Sequence, residues 1–120
     1  MSQIIAYFLE FQSNIKIYHW MTTSFPRHKA ADELFDKILE NSDKFMEVYI
    51  GKYGRSPMTA KQIQLQSLND KTVITYLENK NKYLINELPK QLSKDDTDLL
   101  NIRDELLAAI NQTKYLFTLN

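Results

Sequence analysis

The residues that could do chemistry are concentrated between positions 19 and 47. Drawn as a helix at ~100° per residue, the segment after Pro26 places His28, Asp32, Asp36, Asp43 and Glu47 within about a third of its circumference. Asp43 and Glu47 are spaced i, i+4, so their carboxylates can converge on one ion, and His28 and Asp32 share that spacing. His19 precedes His28 by nine residues. Imidazole and carboxylate without sulfur form a donor set suited to iron(II), manganese or zinc. The plainer reading is a solvated helix edge, with Lys29, Lys37 and Lys44 pairing with the acids for roughly a few tenths of a kcal/mol each.

Geometry constrains the metal reading. From Asp32 to Glu47 a straight helix rises roughly 22 Å, whereas a metal site is only ~4–5 Å across. The His28/Asp32 end and the Asp43/Glu47 end therefore cannot meet at one ion within one chain. Two copies of the helix, antiparallel across a two-fold axis, would bring the ends together twice. A complete site is expected to be intersubunit, and the functional unit to be a homo-oligomer, at least a dimer.

Four helices must position these side chains. The first carries Ile4, Phe8, Phe11, Ile15 and Tyr18 at spacings of three or four. The second starts after Ser24-Phe25-Pro26, carries Ala31, Leu34, Phe35, Ile38, Phe45 and Tyr49, and stops at Gly51 or Gly54. The spacing predicts a loop over 54–71 with one short helix near Ala60–Gln66. A third helix holds Val73, Leu77, Leu84 and Leu88, with Pro89 as its end or a kink. Ser93-Lys94-Asp95-Asp96-Thr97 opens a fourth, with Leu99, Leu106, Ile110 and Phe117. Two helices, a crossover and two more helices predict an all-α four-helix bundle, with residues 1–120 as a single domain.

Composition removes several function classes. The chain has 120 residues, no cysteine, two glycines and three prolines. Thiol catalysis, disulfide frameworks and Cys-type metal sites are excluded, and turn residues are too few for a many-stranded β fold. Fifteen basic and fifteen acidic side chains are interspersed, so DNA binding by bulk electrostatics is not expected. The first twelve residues lack the features of a signal peptide, and no apolar run suffices to span a bilayer. A soluble, cytoplasmic protein is expected.

The residues also fit a known pattern. Ile17-Tyr18-His19-Trp20, followed by Phe25, His28, Asp32 through Phe35, Asp43, Glu47 and Lys52-Tyr53-Gly54, resembles the Dps family, the miniferritins of starved bacterial cells. That family opens its first long helix into a His-Trp pair and starts the next with a second His. An Asp follows four residues later, then an Asp and a Glu spaced i, i+4. His19, His28, Asp32, Asp43 and Glu47 occupy all five positions, and the pattern uses both histidines of the chain. Gly54-Arg55-Ser56-Pro57 resembles the connection to the family's small dimer-interface helix. The specific likeness covers about residues 8–60. The gap between His19 and His28 is shorter than the family's usual one, Met21-Thr22-Thr23-Ser24 replaces its glycine, and its third and fourth helices look trimmed here.

The resemblance implies a ferritin-like bundle and a ferroxidase. Asp43 and Glu47 of one subunit, with His19, His28 and Asp32 of its partner, would bind iron(II) for oxidation by peroxide or dioxygen. Glu47 is then the natural bridging ligand, and zinc or manganese could take the same donors. Iron sequestration in a twelve-subunit cage belongs to the same expectation. The Lys-rich tail with which many members hold DNA has no counterpart before Ile4, so DNA binding is not expected. The alternative is a ferritin-like scaffold that dimerises and binds metal without storing iron.

Overall fold

Ser24, Pro26 and Gly54 bound the longest helix, as the sequence predicts. In the computed structural model, which describes residues 1–120, α2 runs from Phe25 to Tyr53. The Ser24 hydroxyl accepts from the Arg27 N–H at 3.4 Å, and Pro26 sits in the first turn, where its missing N–H costs nothing. Gly54 ends the helix at a φ of 81°, a left-handed value that a side chain would resist. The other helices are α1 (Ser2–Met21), α3 (Thr72–Lys82) and α4 (Thr97–Leu116). There are no strands, and no helix is long and apolar enough to cross a membrane.

Side-chain pairs fix the topology. α1 and α2 are antiparallel, with Phe8 against Phe45 at 5.5 Å and Gln12 donating to Ser42 at 2.7 Å. α4 is antiparallel to α2, from Lys52–Asp98 at 2.8 Å to the Arg27 guanidinium on the Phe117 carbonyl at 3.1 Å. α3 is antiparallel to α1, from the Tyr18 hydroxyl on Asp70 at 2.6 Å to the Tyr7 hydroxyl on the Lys80 carbonyl at 2.9 Å. The chain is thus a four-helix bundle, 44 × 28 × 21 Å, in which α2 and α3 run the same way. Its core joins the apolar faces of all four helices, with Phe11, Ile15, Ile38, Leu77, Leu99 and Ile110 fully enclosed.

Parallel α2 and α3 need a connection as long as the bundle, and this overturns one expectation. Residues 54–69 contain no helix, including the stretch Ala60–Gln66 where a short one was predicted. Thr59 N–H donates to the Ser2 hydroxyl and Asp70 accepts from Tyr18, so eleven residues cover the rise of sixteen residues of α1. Those eleven as one helix would reach ~17 Å against the ~24 Å required, and between Gln64 and Gln66 two strap residues keep pace with four of α1, ~3 Å each, which is extended backbone. Asn14, 0% exposed, holds this strap. Its amide donates to the Gln64 carbonyl at 2.9 Å and to Tyr76 at 3.1 Å, while its oxygen accepts from Gln66 N–H at 2.9 Å.

Pro89 kinks the end of the third helical run by a specific route. Tyr83–Glu87 is a π-helical turn and Leu88–Gln91 a 3-10 turn. In the widened register the Leu84 carbonyl faces position 89, where proline offers no N–H. The Arg103 guanidinium fills the vacancy at 3.0 Å. Tyr83, turned inward by the π turn, stacks on Tyr7 at 4.1 Å.

At the opposite corner Asp96, 3% exposed, joins α2 to α4. It accepts from Lys52 at 2.6 Å, from the Tyr53 hydroxyl and from the Ser93 N–H at 2.8 Å. The Lys52 and Tyr53 hydrogen bonds lower its pKa from 3.8 to about 2. A depressed carboxylate contributes stability that is complete above the ordinary pKa and is lost as pH falls through the folded value. Asp96→Asn should therefore melt lower at neutral pH and lose less additional stability than wild type as pH drops from 3.8 to about 2. Circular-dichroism melts with parallel pH profiles for the two proteins would remove Asp96 as the acid-sensitive group.

Candidate metal centre

The three-residue turn between α1 and α2 brings the two histidines face to face. Their rings stack at 3.8 Å, tilted by 17°. His19 Nδ1 lies 2.7 Å from the His28 carbonyl, and His28 Nδ1 lies 2.8 Å from the His19 carbonyl. A carbonyl only accepts, so this network assigns the proton of each neutral ring to Nδ1 and leaves a lone pair on each Nε2. Anchoring one ring nitrogen on a carbonyl is how proteins orient metal-binding imidazoles. An ion in the plane of one ring lies well outside the plane of the other, so the stacked pair suits two neighbouring ions better than one.

Asp32 completes this end. Its Oδ1 is 3.9 Å from His19 Nε2 and 3.2 Å from the Lys16 ammonium, which also sits 4.5 Å from the centre of the Phe35 ring. Lys16 is a residue that spacing along α2 could not find, because it reaches Asp32 from α1. The signal was its position three residues before His19, on the same helix face. Its ammonium takes up the charge of the carboxylate that a divalent ion would need. Lys16→Gln should tighten binding of zinc or cobalt(II) by about tenfold, since one positive charge near a dication is removed. Calorimetric titration reads this directly, and unchanged or weaker binding would count against the role.

Asp43 and Glu47 lie at the other end of the same face, both exposed, along a groove between α1 and α2 shared with Leu9, Leu39 and Met46. The Gln12–Ser42 hydrogen bond fixes the two helices beside them. α2 is unbroken from Phe25 to Tyr53, so Asp32 and Glu47 stay about 22 Å apart along it. Within one chain no three of the His, Asp and Glu side chains converge as a metal-holding group. The structure stacks His19 on His28 and sets Asp32 beside His19, while Asp43 and Glu47 line a separate groove. Trp20, 67% exposed, and Phe25, 70% exposed, project from the hairpin tip beside the histidines, with the Phe25 ring 6.2 Å from His28.

Comparison with known proteins gives kinship without an activity. The chain is 29% identical over 103 residues to an uncharacterized 14.6 kDa protein from the mobD-ri intergenic region of Enterobacteria phage T4, an alignment spanning 84% of this chain and 74% of the phage protein. No solved structure matches it. A family model described as a family of unknown function, DUF5856, matches residues 19–117, a span that starts at His19 and takes in all five candidate ligands. The chain belongs to the DUF5856 family.

Proposed function

We propose that the chain is a Dps-like ferroxidase whose site is completed across a two-fold dimer. The observation that carries this reading is the reciprocal histidine pair, which leaves both Nε2 atoms as donors, with Asp32 3.9 Å from that of His19. Asp43 and Glu47 on the same face of α2 supply the complementary half. A bundle with one long crossover between parallel helices is also the topology of ferritin-like folds, which supports the fold expected from the resemblance.

In an antiparallel dimer, His19, His28 and Asp32 of one protomer meet Asp43 and Glu47 of its partner. Two iron(II) ions are the substrate. Each gives one electron to hydrogen peroxide, the O–O bond breaks, and two protons complete two waters, leaving two iron(III) ions. The two carboxylates of the partner and Asp32 balance the added charge, and the Nδ1 anchors orient each imidazole with Nε2 as its donor atom. Lys16 leaves Asp32 as iron arrives.

The test is anaerobic addition of iron(II) and peroxide to the purified protein, followed by ferric absorbance. An accelerated rate that zinc suppresses is the expected result, because zinc takes the same donors and has no redox chemistry. No acceleration over buffer, with the dimer intact, overturns the ferroxidase reading. The exposed Trp20, Met21 and Phe25 favour one second reading, a dimerising scaffold that binds metal without oxidising it. Light scattering separates an iron-storing cage from a dimer.

A further inference from the structure

The strap between α2 and α3 has two unlike edges. Toward the bundle, the N–H groups of Gln64 and Gln66 are taken by Glu10 and Asn14 of α1. Along extended backbone successive N–H groups point to opposite edges, so those of Ile63 and Leu65 face away. No backbone-to-backbone hydrogen bond involves residues 55–68, and the chain runs from Gly54 to Asn69 without a bend. Residues 58–67 are all exposed, contain neither proline nor glycine and carry a single charge, Lys61. Gln62-Ile63-Gln64-Leu65-Gln66 alternates polar and apolar with the period of a strand. An edge with unpaired groups and, apart from Lys61 at its end, none of the usual protections is a template for strand pairing.

We infer that residues 61–67 pair antiparallel with the same segment of a second copy, about a two-fold axis at Gln64. The register selects this occupant. Pairing about Gln64 sets Ile63 opposite Leu65 and Lys61 opposite Ser67, and every residue so placed offers its N–H and carbonyl on the outward edge. Ile63 and Leu65 of the two copies then share one face of the ribbon. Gln62 meets Gln66 on the other face, and the two Lys61 ammoniums lie at opposite ends of the ribbon. Pairing centred on Ile63 or Leu65 has the same edge parity but matches Gln62 with Gln64, or Gln64 with Gln66, and displaces the apolar pair. The strap lies against α1 and α3, away from the α1/α2 face that carries Asp43 and Glu47. The contact is therefore independent of the ferroxidase reading and can join its dimers.

Because the chain has no cysteine, single cysteines report the register. Gln64→Cys places two thiols at a non-hydrogen-bonded pair, with Cα atoms ~4.5 Å apart and within disulfide reach. Under mild oxidation it should form covalent dimer at least ten times faster than Gln62→Cys or Gln66→Cys alone. An equimolar mixture of the last two should cross-link to each other. Adding Leu65→Pro to Gln64→Cys removes an outward N–H and should lower the rate to that of the controls, with an unchanged melting curve. Equal rates for the three single cysteines overturn the pairing, faster reaction at position 62 or 66 overturns the register, and an indifferent Leu65→Pro overturns the hydrogen-bonded ribbon.

Discussion

Mixing a His28→Ala variant with an Asp43→Ala/Glu47→Ala variant should restore about a quarter of the wild-type rate of iron oxidation, although each alone falls by roughly 100-fold or more. The figure follows from two-fold symmetry. Half of the randomly assorted dimers pair one protomer of each kind, and in these one of the two sites draws its histidines and its acids from intact sources. The other site lacks both halves, and homodimers lack one half at each site. The experiment needs subunit exchange, by dilution and reconcentration or mild denaturant and refolding, before iron(II) and peroxide are added. Rescue cannot arise if the five ligands act within one chain, because no mixture then contains an intact set. Full activity in the Asp43→Ala/Glu47→Ala protein alone would place the chemistry on His19, His28 and Asp32 without a partner. No activity in the mixture, with exchange demonstrated by mass-tagged subunits, would remove the intersubunit site.

What the sequence could reveal depended on whether the information was local. The acids of α2 were legible because helical period alone puts His28, Asp32, Asp43 and Glu47 on one face, and Ser24, Pro26 and Gly54 mark the ends of that helix. The separation of the two half-sites followed from helix rise. The stacking of His19 on His28 did not, since it depends on the path of Thr22, Thr23 and Ser24 and the register of α1 on α2. Asn14 was invisible for the same reason, and Lys16 offered only its place three residues before His19. Each looks like an ordinary polar residue of α1 until α2 brings Asp32, or the strap brings Gln64 and Gln66. The short helix expected near Ala60–Gln66 was a misreading of period. Ile63 and Leu65 are two apart, the spacing of extended chain, and the N–H groups of Gln64 and Gln66 go to Glu10 and Asn14 of α1 instead of closing a helical turn. Pro89 announced a break, but the π turn before it also rests on the Tyr7–Tyr83 stack and on Arg103.

Phe11→Ala should lower stability by about 3–5 kcal/mol, a large share of the ~5–15 kcal/mol available to a domain of this size. Phe11 is fully buried in α1, with its ring edge-on to Tyr7 at 5.9 Å and to Tyr76 at 6.0 Å. Beside it lies the Lys80 ammonium, 5.8 Å from its ring and 4.9 Å from those of Tyr7 and Tyr76, and paired with Glu10 at 3.2 Å. Burial already lowers the pKa of Lys80, so this is a cation held by aromatic faces and a single carboxylate. Removing the ring leaves a cavity and strips one wall from the ammonium, which places the loss toward the upper end of the range. The melting temperature should fall by roughly 10–25 °C. Lys80→Met combined with Glu10→Gln separates the two contributions: it keeps most of the packing and removes both charges, and should be much milder because replacing a whole buried ion pair is often close to neutral. A Phe11→Ala loss below about 1 kcal/mol would mean that α1 does not pack on α3 through this ring. Phe11 faces α3, whereas the candidate metal ligands occupy the α1/α2 edge. At a temperature where the variant is still folded, its iron oxidation rate should therefore equal that of the wild type.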